Sequence, residues 1–440
     1  MDRRDVFRAL GVGAAAQVLG SAYAYASPHG KPRGFPRGFL WGAASAAHQV
    51  EGQNINSDFW VLENLSPSPF SEPSGDACDS WNRHLGDVAL AARLGLNAYR
   101  FSVEWARIEP ERGAFSLAML AYYRRLLEAC RAHGLTPIVT YHHFTSPRWF
   151  AALGGWERAD AVDDYVRYAD RVTRTLGDLI GYACTFNEPN QPPLPFILRG
   201  NQRQPGEAAI QAMAAKRVGS DRFGCYGIGD PLAIRDAMLR AHARARDAIR
   251  AHQPSLPVGQ TLALQALRAE PGGERLRDRI VAETRTPFYE SAAKDDFVGV
   301  QTYLSQRVGP GGLLPPRADA PLNADGEDAS FDSLEVSIRE AAAACGRPIL
   351  VTEHGINSRD DTQRVAVINA AVDSLHRLLS EGMQIRGYVH WSFLDNFEWL
   401  KGFKPTFGLV AVDRTTFERR PKPSARYLGR LARTNGAGRS

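Results

Sequence analysis

Two short strings each place a glutamate at the end of an apolar, strand-like run: Thr185-Phe186-Asn187-Glu188-Pro189 and Val351-Thr352-Glu353-His354-Gly355. A carboxylate just past the C-terminal end of a parallel strand lies where α/β barrels gather their reactive groups. Two of them, one with a raised pKa and one ionised, are the acid and the nucleophile that cleavage of a glycosidic bond requires. Taken singly, a glutamate at a strand end is more often a surface or salt-bridged residue, so the reading depends on the neighbours of the pair. That chemistry needs no metal or organic cofactor, because acid, nucleophile and water complete the cycle. A histidine-based metal site is also poorly served: His142 and His143 are adjacent, so on a strand they point to opposite faces.

Such a pair needs elements that converge. Apolar runs of strand length occur at 40–44, 98–103, 137–141, 181–186, 258–262, 297–302, 349–352 and 386–391. Longer amphipathic stretches at 80–94, 117–132, 161–176, 232–251, 334–344 and 365–379 lie between them, and 423–432 closes the chain. Gly95, Gly134 and Gly346 follow three of these as helix stops. Strict strand-then-helix alternation with eight strands predicts an α/β fold, a single (β/α)8 TIM barrel over 39–440. An open doubly wound sheet shares the alternation, but no G-x-G-x-x-G opens a helix after the first strand. Two segments rich in Gly, Pro and polar residues, 191–229 and 309–330, break the rhythm after strand ends, where long connections form walls or lids.

Composition adds exclusions. At 440 residues, 44% hydrophobic and 23% charged, the chain suits a soluble domain with a large core. Its net charge of +5 reflects arginine bias, since only 6 of 53 basic residues are lysine, and the arginines are scattered among acidic residues; no nucleic-acid partner is implied. At the N-terminus, Arg3-Arg4-Asp5-Val6-Phe7 precedes an apolar stretch at 9–20 and then Ala24-Tyr25-Ala26. This order predicts a twin-arginine export signal over 1–26, a linker over 27–38, and a periplasmic or secreted product. No segment reaches the roughly 18 apolar residues of a membrane anchor. Cysteines 78, 130, 184, 225 and 345 are odd in number and hold no C-x-x-C pair, as expected of buried small hydrophobes rather than a disulfide framework.

The neighbours of the two glutamates sharpen the reading. Phe39-Leu40-Trp41-Gly42-Ala43-Ala44 with Gln49 and Glu51-Gly52, Tyr99-Arg100-Phe101-Ser102 with Trp105-Ala106-Arg107-Ile108, and Thr140-Tyr141-His142-His143 with Pro147 and Gly154-Gly155-Trp156 occur in that order. Trp391-Ser392-Phe393-Leu394-Asp395-Asn396-Phe397-Glu398-Trp399 follows. From Phe39 to Asp413 the chain resembles the family 1 glycoside hydrolases, the β-glucosidase group. The resemblance implies that Glu188 is the acid/base and Glu353 the nucleophile of a retaining, exo-acting β-glycosidase. It implies that Arg100 and Tyr303 flank the nucleophile, and that Gln49, His143, Asn187, Tyr303, Trp391, Glu398 and Trp399 hold the sugar of a small-molecule β-glycoside or oligosaccharide. Aromatic platforms ringed by amide, imidazole and carboxylate groups suit a pyranose.

Glu398 separates branches of that family. Relatives acting on 6-phosphosugars carry serine there, with a lysine and a tyrosine downstream; here those positions read Glu398, Pro405 and Phe407. A carboxylate facing a phosphate repels it, so an unphosphorylated glucoside, galactoside or fucoside is expected. Glu188 itself excludes the myrosinase-like branch, where glutamine replaces the acid. Departures from the family pattern are Gln301-Thr302-Tyr303 for Asn-Tyr-Tyr, His48 for Tyr, Phe144-Thr145-Ser146 for Trp-Asp-Leu, and Thr406-Phe407 for Arg-Phe. The segment from Asn190 to Gly229 resembles the family only weakly and should shape the leaving-group side. Transglycosylation through the same intermediate, and an exported sugar-binding protein on the same barrel, stand as alternatives.

Overall fold

Eight parallel strands close into a barrel in the computed structural model, which describes residues 34–437. The expected export signal and most of the expected linker lie outside the described residues. The strands are β1 (Leu40–Ala44), β2 (Ala98–Ser102), β3 (Thr136–His142), β4 (Tyr182–Asn187), β5 (Val258–Ala263), β6 (Phe297–Thr302), β7 (Ile349–His354) and β8 (Ile385–Trp391). Each pairs with the next in sequence, and β8 closes on β1 through Leu40↔Gly387 to Ala44↔Trp391. This is the (β/α)8 architecture expected from the alternation.

The strands are buried on both faces, which is why they read as apolar runs rather than as alternating ones. Leu40, Ala98, Ile138, Cys184, Phe297, Leu350 and Val389, from seven of the eight strands, join one buried cluster. Strand residues such as Val139, Phe186, Val258, Val298, Val351 and Tyr388 belong instead to a larger cluster with helix residues Ala169, Val172, Ala241, Ile338 and Leu375. The barrel thus has an inner plug and an outer seam with the helices. All five cysteines are buried and unpaired.

Helices Ser80–Leu94, Leu117–Ala132 and Ala161–Leu176 span the stretches expected for them. Helix Asp361–Ser380 begins four residues before the expected one. Its first turn is polar, so the apolar period only starts at Val365, while the Asp360 carboxylate caps the true start by accepting from the Thr362 N–H. The two irregular segments also contain order. After β4 the chain forms helices Pro193–Leu198 and Glu207–Val218, and after β6 the hairpin Ser305–Gly309 and Gly312–Leu314 pairs with Ala266–Ala269 in a small sheet. Ile197, Val308 and Ile280 pack together, so the connection after β4 meets the hairpin strand Ser305–Gly309 after β6. Within 34–38, Phe35 is buried, packs on Trp41, and donates its N–H to the Asn435 carbonyl at 2.9 Å.

Two irregularities in the barrel matter for the site. The register of β4 against β5 shifts between Cys184 and Asn187, and that of β7 against β6 shifts between Val351 and Glu353. Each lies just before or at one of the two candidate glutamates. A bulge re-aims the side chains that follow it, so these shifts turn both carboxylates relative to the plain pleat.

Candidate active site

Glu188 is the first residue past β4 and sits in left-handed backbone at φ 48°. Three contacts hold that turn. Its N–H donates to the Thr261 carbonyl of β5 at 2.8 Å, and its carbonyl accepts from the Gln191 N–H at 3.1 Å and from the Tyr226 hydroxyl at 2.5 Å. A non-glycine residue in this region is strained, and such strain persists where the surroundings over-determine it. The Glu188 side chain is buried and touches the amide of Gln191. Burial first, and then the charge of Glu353, push its carboxyl well above the usual range, with Arg100 opposing.

Glu353, within β7, is surrounded differently. Arg100 of β2 donates Nη1 to its Oε1 at 2.5 Å, and the Tyr303 hydroxyl donates to its Oε2 at 2.5 Å. Burial raises Glu353 as well, but Arg100, Tyr303 and Gln301 all pull it back toward the ionised form. Burial and the neighbouring carboxylates hold the Tyr303 phenol well above its ordinary pKa, so it stays a donor. The two carboxyls therefore share a desolvated site and differ in their donors. Environments that differ in this way push the pKa values of two carboxyls apart.

The same guanidinium links both halves. Arg100 is fully buried, and its Nη2 donates to Asn187 Oδ1 at 2.6 Å. Gln301 Nε2 at 2.9 Å and Thr261 Oγ1 at 3.3 Å converge on that same oxygen. With both lone pairs of Oδ1 taken by Arg100 and Gln301, and the Thr261 hydroxyl shared with the Phe186 carbonyl, the Asn187 amide presents its Nδ2 donors as its remaining polar face. A buried arginine is costly unless paired, and Glu353 with Asn187 supplies the pairing.

Beside them stands the set expected to hold a sugar. Trp391 ends β8 and donates Nε1 to Glu398 Oε1 at 3.2 Å. Its ring lies parallel to His143, 5.7 Å between centroids, and His143 in turn lies parallel to Trp399 at 6.1 Å. Burial pushes the Glu398 carboxyl up to about 8, with the Trp391 N–H opposing. Burial, then Arg100 and His142, hold His143 well below its ordinary value, so its ring is neutral. Gln49 is fully buried; its Nε2 donates to Asn396 Oδ1 at 3.0 Å and to the Phe397 carbonyl at 2.8 Å, leaving Oε1 unpartnered within the described residues. A buried amide oxygen left unpaired is a ready acceptor for a ligand hydroxyl.

The ten residues singled out in the sequence thus gather at the C-terminal end of the barrel: Arg100, Asn187, Glu353 and Trp391 on β2, β4, β7 and β8, His143, Glu188 and Tyr303 just past β3, β4 and β6, Gln49 on the short helix Ala47–Val50 after β1, and Glu398 and Trp399 in the segment after β8. His142 turns the other way, its ring 5.4 Å from Trp156 and 5.3 Å from Phe186, as strand alternation requires. Gln191, Tyr226, Thr261 and Asn396 were not singled out. In the sequence Gln301 stands out only as a departure from the family pattern, yet its amide donates to Asn187 at 2.9 Å and helps to hold Glu353 toward the ionised form.

The glycosyl hydrolase family 1 pattern matches residues 31–305 and 335–437. The chain belongs to glycosyl hydrolase family 1. The gap in that match spans the small-sheet hairpin and the irregular segment after β6. As a family 1 member the chain is a glycoside hydrolase. It is 30% identical over 446 residues to the thermostable beta-glucosidase B of Thermobispora bispora, with 90% of each chain covered. Among solved structures it is similar to a beta-glucosidase 1317 in its apo form, with 49% identity, a TM-score of 0.86, and 90% and 98% of the two chains covered. It is also similar to the beta-glycosidase BGL167, with 48% identity, a TM-score of 0.87, and 91% and 97% covered.

Proposed function

We propose that this family 1 enzyme is a retaining, exo-acting β-glycosidase that hydrolyses unphosphorylated β-glycosides, β-glucosides foremost and β-galactosides or β-fucosides as further donors. The single observation that carries the mechanism is the unequal hydrogen bonding of the two buried carboxyls. Glu353, held ionised by Arg100 and Tyr303, attacks the anomeric carbon while Glu188, kept protonated by burial and by Glu353, donates its proton to the leaving oxygen. The covalent glycosyl-enzyme neutralises Glu353, and Glu188, now ionised, takes a proton from the water that opens it. Asn187 Nδ2 faces the sugar 2-hydroxyl, a contact that strengthens as positive charge develops on the ring.

Glycone selection rests on Gln49 Oε1, His143 and Glu398 around the Trp391 platform. Glu398 repels a 6-phosphate, and the two positions where relatives acting on 6-phosphosugars carry a lysine and a tyrosine are the uncharged Pro405 and Phe407. A panel of aryl β-glycosides with NMR detection of the first-formed anomer tests stereochemistry and glycone together: the β-anomer appears first, and a first-formed α-anomer would exclude retention. The N-terminal residues support export of the enzyme by a twin-arginine route, which fractionation of cells carrying the Arg3→Lys, Arg4→Lys double variant tests.

A further inference from the structure

We infer that Gln191 is a positioning residue for Glu188: its side-chain amide donates to the carboxyl, holds it in one rotamer, and steadies it as its proton departs to the leaving group. The inference rests on the acid/base role proposed above for Glu188. Among the described residues, Gln191 Nε2 is the one side-chain donor to that carboxyl.

The backbone fixes the pair. The left-handed φ of Glu188 folds the chain back on itself, so that Gln191, three residues on, returns toward the carboxyl. Asn190 anchors the turn to the end of β5, donating Nδ2 to the Ala263 carbonyl at 2.8 Å and accepting its N–H at 2.9 Å. The Gln191 N–H and the Tyr226 hydroxyl then share the Glu188 carbonyl. With its backbone tied at both ends, the amide has little freedom to leave the carboxyl.

The chemistry explains what such a donor is for. Glu188 must give up a proton in the first step and take one from water in the second, so neither form can be favoured overwhelmingly. Burial and Glu353 both favour the protonated form. A neutral N–H donor favours the ionised form without a second buried cation, and so opposes them. Gln191 also borders a small internal cavity with Leu194, Ala263, Thr284 and Arg285, which leaves room for side chains of similar length.

The test compares Gln191→Met and Gln191→Glu with the unaltered enzyme, using an aryl β-glycoside with a 2,4-dinitrophenolate leaving group and its phenyl counterpart. In Gln191→Met the basic limb of kcat/KM should move up by about 1 pH unit, the effect of losing a hydrogen bond to a buried charge. The phenyl glycoside should lose about tenfold in kcat/KM, while the dinitrophenyl glycoside, whose departure needs no acid, loses less than about threefold. Gln191→Glu should move the limb further in the same direction. A limb that stays or moves down, or equal losses on both leaving groups, overturns the assignment. Glu188→Ala separates the two levels: azide should convert the dinitrophenyl substrate to the β-glycosyl azide. If it does not, the acid/base reading fails and takes Gln191 with it; if it does, the Gln191 variants alone decide.

Discussion

Replacing Tyr303 by Phe removes one hydroxyl from Glu353, the proposed nucleophile, while keeping the ring that packs on Phe407 at 5.6 Å. The hydroxyl donates to Glu353 Oε2 at 2.5 Å inside a desolvated site. A hydrogen bond to a buried charged group is worth about 1.5–3 kcal/mol, which corresponds to about 1–2 units in the acceptor's pKa. The sign follows from which form is stabilised. The bond favours ionised Glu353, so its loss raises the pKa, and the attacking form is lost at higher pH as the solution is acidified. The acidic limb of kcat/KM should therefore move up by about 1–2 pH units, and at a fixed pH on that limb activity should fall about ten- to a hundredfold. The basic limb, set by Glu188, should stay. Initial rates of p-nitrophenyl β-glucoside hydrolysis from pH 4 to 10 measure both. An acidic limb that stays in place while KM alone rises would refute the assignment of Tyr303 as a donor to the nucleophile and leave it as a sugar contact.

Gln301→Ala removes one of the two amide and guanidinium donors that hold Asn187 Oδ1. The advantage of a β-glucoside over its 2-deoxy analogue should narrow about tenfold in kcat/KM, a ratio that a merely local packing defect would leave unchanged. Glu398→Ala empties the end of the pocket opposite Trp391 Nε1; kcat/KM for β-glucosides should fall about ten- to a hundredfold, with the thermal midpoint held within a few degrees. His142 is pulled down to about 3 by burial. Its stabilising contribution is complete above the unfolded imidazole's pKa of about 6.5 and is lost as pH falls, because only the unfolded chain takes up the proton. His142→Gln should accordingly flatten the dependence of unfolding free energy on pH between 6 and 5 by about 1.4 kcal/mol per pH unit, read from urea melts; an unchanged slope would mean that the folded imidazole also protonates there.

Much of this arrangement is legible in the residues, because strands buried on both faces and helices with one apolar face repeat in strict alternation. The strand ends are marked by local composition, which places Glu188 and Glu353 at one end of the barrel, and the resemblance to family 1 adds Arg100 and Trp391 beside them. What is not legible comes from pairing between segments far apart in the chain. The register shifts at Asn187 and Glu353 depend on how β4 meets β5 and β7 meets β6, and no single strand carries that information. Helix Glu207–Val218 buries Ala214 and Ala215 with Ile210 and Val218 half-buried beside them, but its alanines occur on every face, so the sequence offers little apolar contrast to read. Ser305–Gly309 is short and half-polar, and finds its partner at Ala266–Ala269 only in three dimensions. Gln191 is hidden for a local reason: three residues after Glu188 it would lie on another face of a regular strand, and only the left-handed turn at Glu188 brings it back.

In the proposed mechanism Glu353 becomes covalently attached to the sugar. Incubation with a 2-deoxy-2-fluoro-β-glucosyl fluoride, which slows the second step more than the first, followed by proteolysis and mass spectrometry, addresses it directly. One added 2-fluoroglucosyl group per chain is expected, located to Glu353 by fragmentation, with turnover recovering as the label is released. A label on any other residue, or inactivation without a covalent adduct, would contradict it.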